Sequence, residues 1–106
     1  MSKFRLETSM AVFVVSAELG PLSLEFQREG LSGGFVTCVL EAEEIVSAIA
    51  ISKAALLEDG YEILSIFSAY LFDSSEWEKD DEVSRLATSS ELKTDVLYTT
   101  FEVYGS

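Results

Sequence analysis

Six carboxylates, Asp73, Glu76, Glu78, Asp80, Asp81 and Glu82, fall within ten residues and form the densest set of ionisable side chains in the chain. Carboxylates at such density do three kinds of work. They hold a divalent cation, they act as a general acid and base, or they present negative charge to a cationic surface. A calcium loop of the EF-hand kind needs oxygen ligands at alternate positions, a central glycine and a terminal glutamate at fixed spacing, and this stretch has no such order. A carboxylate pair for glycoside chemistry needs a wide substrate cleft, which is hard to fit into 106 residues. Docking onto cations is what remains. Trp77 lies inside the run, and tryptophan is enriched among residues that anchor interfaces.

The rest of the chain offers little other chemistry. There is no histidine, so the usual proton shuttle at neutral pH and the commonest metal ligand are both missing. Cys38 sits in an apolar run with no basic neighbour to lower its pKa, and reads as a core thiol. A single cysteine forms no internal disulfide, which fits a reducing compartment. Gly30-Leu31-Ser32-Gly33 spells the GxxG of RNA-binding KH domains, but there the loop joins helices and has basic support. Nineteen acidic residues against seven basic ones give a net charge of -12. Such a surface repels nucleic acid and anionic lipid and attracts basic proteins. The expectation is a non-enzymatic protein without cofactor or metal, whose partner is a basic protein.

The elements that position these residues follow from periodicity. An apolar content of 48% over 106 residues supports one compact domain spanning residues 1–106. Phe4, Leu6, Met10, Val12 and Val14 alternate with polar residues, and both faces turn apolar from Ala11 to Ala17, so a strand runs from an edge into a sheet. Lys3 and Arg5 ahead of Met10–Ala17 have the order of a secretory signal, but Glu7 and the shortness of the apolar run argue against one. No run reaches the roughly 20 apolar residues of a membrane span. Gly20-Pro21 marks a turn, after which Leu22, Leu24 and Phe26 alternate as a second strand. Phe35–Leu40 reads as a third, completing an antiparallel meander. Ala42–Glu58 changes to helical spacing, with Glu41, Glu43 and Glu44 at its positive end, Ser52 in mid-arc as a small residue for close packing, and Gly60 as its stop. Tyr61–Phe72 reads as a central strand and Val96–Tyr104 as a terminal one. The fold class is α+β, with about five mostly antiparallel strands, one main helix on one face, and a short second helix in an acidic insertion.

That insertion, Asp73–Asp95, carries eight acids and three bases. Ser75 followed by Glu78 matches a capping box, which predicts a helix over Glu76–Ala87 anchored by Trp77 and Leu86. Glu76/Asp80 and Glu78/Glu82 then become i, i+4 pairs about 6 Å apart along the axis, a phosphate-like ladder for a groove of Lys and Arg. The alternative is a solvated acidic loop with Trp77 packed on the core. The candidate partner-binding residues are Glu76, Trp77, Glu78, Asp80, Asp81 and Glu82, together with Glu43 and Glu44.

Thr37-Cys38-Val39-Leu40-Glu41-Ala42-Glu43-Glu44, leading into a helix that ends Glu58-Asp59-Gly60-Tyr61-Glu62-Ile63, has the strand–helix–strand cadence of many short phage-encoded proteins. In size, charge and cadence the chain resembles small acidic inhibitors of the anti-CRISPR type, which occupy nucleic-acid channels. The resemblance implies a stoichiometric inhibitor in the cytoplasm of a bacterial host cell, and it carries no individual site residue with it. An immunity protein against a basic nuclease toxin has the same size and charge. A small subunit of a larger assembly, joined through apolar strand edges, is a further alternative.

Overall fold

The computed structural model describes residues 10–105. The strand expected over residues 3–9 lies outside the described residues. The strands are β1 (Ala11–Leu19), β2 (Gly33–Ala42), β3 (Ile63–Leu71), β4 (Leu97–Tyr98) and β5 (Glu102–Tyr104), and the helices α1 (Leu24–Glu29), α2 (Ile45–Glu58) and α3 (Glu82–Ala87). All five strands join one antiparallel sheet in the order β3-β1-β2-β4, with β5 also on β2. The architecture is α+β. No helix among the described residues is long and apolar enough to cross a membrane.

β1 is apolar on both faces because both faces are used. On one, Phe13, Val15, Ala17 and Leu19 pack with Val36, Cys38, Leu40 and Ala42 beneath Ala48 and Leu56 of α2 and Phe26 of α1. On the other, Val14 and Val39 are covered by Val83 and Leu92 from the acidic segment, with Trp77 and Leu86 packed around them. The segment therefore folds back on the sheet. It covers only the part of this face near the start of β1, leaving the part around Ser16 and Phe35 open.

Three elements depart from the periodicity. The strand expected at Leu22–Phe26 is the helix α1: Leu22 and Leu24 are exposed, and Phe26 alone enters the core. The chain is shaped here by Ser23, whose buried hydroxyl donates to the Gly20 carbonyl (2.8 Å) and accepts from the Glu62 N–H (2.8 Å). Gly30, at φ +74°, then closes the helix in a left-handed conformation that disfavours other residues. With α1 between them, β1 and β2 pair directly and no three-strand meander forms.

β3 is an edge strand, not a central one. Its two-sided apolar pattern arises because one face lies under α2 while Leu64, Phe67 and Leu71 stay exposed. Register shifts opposite Ser16/Ala17 and Glu18/Leu19 leave Phe67 and Leu64 as bulge residues. Bulges bend a strand and blunt its use as a template for another chain. The terminal strand is also broken. β2 runs three residues from Cys38 to Phe35 while its partner runs four from Tyr98 to Glu102, so the alternation inverts midway. Leu97 consequently joins one core and Phe101 the other.

The main helix is as expected from Ile45 to Glu58 but starts three residues later than the periodicity suggests, and Glu41 belongs to β2. Glu44 occupies the N-cap position without a side-chain cap bond. Gly60, at φ +90°, follows the Asp59 C-cap, and the bonds Tyr61 N–H to Leu56 O and Gly60 N–H to Leu57 O end the helix in a Schellman turn.

Candidate functional site

The acidic segment forms its short helix over Glu82–Ala87 alone, and the expected first half from Glu76 is not helical. Asp73 accepts from the Ser75 N–H (3.0 Å) and the Ser75 hydroxyl (2.8 Å), so the side chain meant to cap a helix at Ser75 is already engaged. Those contacts hold Asp73's carboxyl below its usual range. A single 3-10 turn, Ser74–Glu76, results, and Trp77 returns to extended backbone. Its ring lies parallel to Tyr70 on the sheet, at 4° and 6.3 Å between centroids. α3 begins only at Glu82, capped by Asp81, whose Oδ1 accepts from the Val83 N–H at 2.9 Å. The Ser75–Glu78 capping box and the i, i+4 ladder of Glu76/Asp80 and Glu78/Glu82 are therefore corrected. Like charges at that spacing oppose a helix, and Trp77 gains more by packing on the sheet.

The candidate residues fall into three groups. Glu76, Glu78 and Asp80 are exposed on the segment's outer side, where the Asp80 carbonyl receives the Arg85 guanidinium. Trp77, Asp81 and Glu82 are half-buried and share the wall of one cleft. Glu43 and Glu44 are exposed beyond the far end of β2, about 20 Å along the strand from Thr37 at 3.3–3.4 Å per residue, and belong to no common site with the others.

The cleft occupies the uncovered part of the sheet face and has a volume of about 460 Å³. Ser16, Thr37, Phe35 and Phe67 form its floor, and Asp81, Glu82, Thr100 and Glu102 line it above the sheet, with Glu82 and Thr100 in contact. The floor depends on the β3 bulge. Ser68 faces Ser16 and Ile66 faces Ala17, so without the extra residue Phe67 would alternate to the helix side. The bulge brings it onto Phe35, edge to face at 5.8 Å, and Tyr104 lies 5.7 Å from Phe35 on the other side. All three rings reach solvent, with exposures of 58% for Phe67, 36% for Phe35 and 42% for Tyr104.

The carboxylates around this floor are held by neutral donors. Glu82 Oε2 accepts from the Thr100 N–H (2.8 Å) and hydroxyl (3.0 Å), and Glu18 Oε2 accepts from the Tyr104 hydroxyl at 3.3 Å. Loss of hydration and the Glu18 charge raise the Tyr104 phenol. Among the described residues the ion pair found is Arg28–Glu25 (3.0 Å), on the surface of α1 and away from the cleft. Asp81, Glu82 and Glu18 are thus held by neutral donors, Glu102 is exposed beside them, and none of the four is ion-paired among the described residues. Among the described residues no three acids or thiols converge in a metal-binding group.

Phe35, Phe67, Tyr104, Glu18 and Glu102 were not among the residues singled out by sequence. The signal that could have found them is Glu18 and Glu102, charges inside strands that otherwise read as buried. Compared with protein-family models, curated proteins and solved structures, the chain matches none.

Proposed function

We propose that this protein is a non-enzymatic, stoichiometric inhibitor of the anti-CRISPR type, acting in the bacterial cytoplasm by covering the basic nucleic-acid-binding surface of a protein partner. The observation that carries the reading is a set of carboxylates held around an exposed aromatic floor without counter-cations among the described residues. Fixed charge costs no ordering when a cationic partner arrives, and an aromatic floor supplies apolar contact at the centre of the interface. The exposed acids Glu76, Glu78 and Asp80 extend the negative field beyond the cleft and speed encounter with a basic surface. The mimicry is one of charge and of an anchoring cleft, without a regular phosphate spacing.

The test is capture of a partner from bacterial lysate at low salt, followed by titration of the purified partner with its nucleic acid. Loss of nucleic-acid binding at one equivalent of this protein, reversed by Glu102→Lys, is the expected outcome. A partner that binds this protein and its nucleic acid together would refute inhibition by occupancy.

A further inference from the structure

We infer that the cleft over Ser16, Phe35 and Phe67 seats the side chain of an arginine, in preference to lysine, presented by a segment of another protein. This deepens the reading above and rests on it for the partner's positive charge. The preference for arginine rests on the floor. Phe67 and Phe35 meet in the cleft at 5.8 Å, and the exposed ring of Tyr104 lies 5.7 Å from Phe35. A guanidinium is planar and weakly hydrated, so it lies on an aromatic face and still directs its N–H groups sideways to carboxylates. An ammonium is strongly hydrated and loses more on entering such a place.

The walls supply the acceptors. Asp81, Glu82 and Glu102 line the cleft, and Glu18 stands at the Tyr104 hydroxyl. Glu82 and Glu18 each use Oε2 for a neutral donor, and Oε1 of each makes no hydrogen bond among the described residues. Charge decides against other occupants. An apolar segment would strand these carboxylates away from water, and a second copy of the chain would bring its own charge of -12. A protein segment suits the site better than a free cation because Glu76, Glu78 and Asp80 stand exposed on the same insertion, where they would meet further cations of that segment.

Trp77, the chain's one tryptophan, lines the cleft and reports its occupation by fluorescence. The intact protein is titrated with hexa-arginine, hexa-lysine and free arginine at fixed ionic strength, and the titrations are repeated with Phe67→Leu and Tyr104→Leu. Both positions are exposed, and far-ultraviolet circular dichroism checks that each variant keeps the fold. Hexa-arginine should bind about three-fold more tightly than hexa-lysine, the factor expected of a guanidinium on an exposed ring, and Phe67→Leu should abolish that preference. Equal affinity for the two peptides, or a preference that survives both substitutions, overturns the inference. Free arginine binding as tightly as hexa-arginine overturns the protein segment as occupant. A purified partner that is still inhibited at full affinity by Phe67→Leu overturns this role of the cleft while leaving inhibition itself intact, so the two readings fail separately.

Discussion

Ser52 lies in the middle of α2 with its hydroxyl sealed from water, and the polar group against it is the Cys38 thiol, a weak partner that leaves it poorly satisfied. A buried hydroxyl left without a partner costs about 1–3 kcal/mol. Ser52→Ala should therefore stabilise the protein by about 1 kcal/mol in urea unfolding, and a loss of stability would show that the hydroxyl is satisfied. The neighbouring thiol belongs to Cys38. Burial pushes it up from its ordinary 9.0 to about 12, with the Ser52 hydroxyl pulling slightly the other way. The folded state then holds its proton where the unfolded state has lost it. That contribution is fully present below pH 9 and is lost as pH rises from 9 toward 12, at about 1.4 kcal/mol per pH unit. Tyr98, raised by burial and by its 2.7 Å bond to Asp59, adds to the same alkaline loss above pH 10. Melting temperatures should hold from pH 8 to 9 and fall from pH 9 to 11, less steeply for Cys38→Ala. At pH 8 the folded thiol should resist alkylation that proceeds in urea, and alkylation at equal rates in the two conditions would contradict its burial.

At the scale of elements, the cleft depends on the acidic segment staying fastened to the sheet. Val83 and Leu92 hold it there by packing on Val14 and Val39, Glu82 ties it to Thr100, and the Asp81 cap supports α3, which carries Val83. Asp81→Ala should cost about 1 kcal/mol, as loss of an N-cap does, and should fray α3. Glu82→Ala should cost about 1–2 kcal/mol and increase amide exchange at Thr100, which loses its acceptor. Unchanged exchange there would separate the segment from the C-terminal strands. The elements that could be read in advance were those with long and consistent periodicity: β1, β2, α2 and its Gly60 stop. α1 was hidden because Leu22, Leu24 and Phe26 alternate like a strand, while its cause is the bonding of Ser23 to Gly20 and to Glu62, the latter 39 residues away in sequence. The helix expected at Glu76–Ala87 forms only from Glu82, because Asp73 engages Ser75 locally and Trp77 has a place on the sheet. The cleft was only half legible. Trp77, Asp81 and Glu82 stood out by composition, but Phe67 reaches its floor through a bulge, and period-2 alternation does not reveal an extra residue.

Across the whole molecule, a net charge of -12 acts on two processes in opposite directions. Within the free protein the carboxylates repel one another, so added salt should screen that repulsion and raise the melting temperature. Between the protein and a basic partner the same charge attracts, so added salt should weaken the complex. The measurement that bears most directly on the central claim is the affinity for the captured partner across a salt series from about 50 to 500 mM, for the native sequence and for Glu102→Lys. Log affinity should fall steeply with log salt, as it does when a cationic site exchanges counter-ions for fixed negative groups. Glu102→Lys should bind more weakly at low salt and show a shallower slope. An affinity indifferent to salt, or a Glu102→Lys curve that overlays the native one, would contradict the claim that fixed carboxylates around this cleft meet a basic surface.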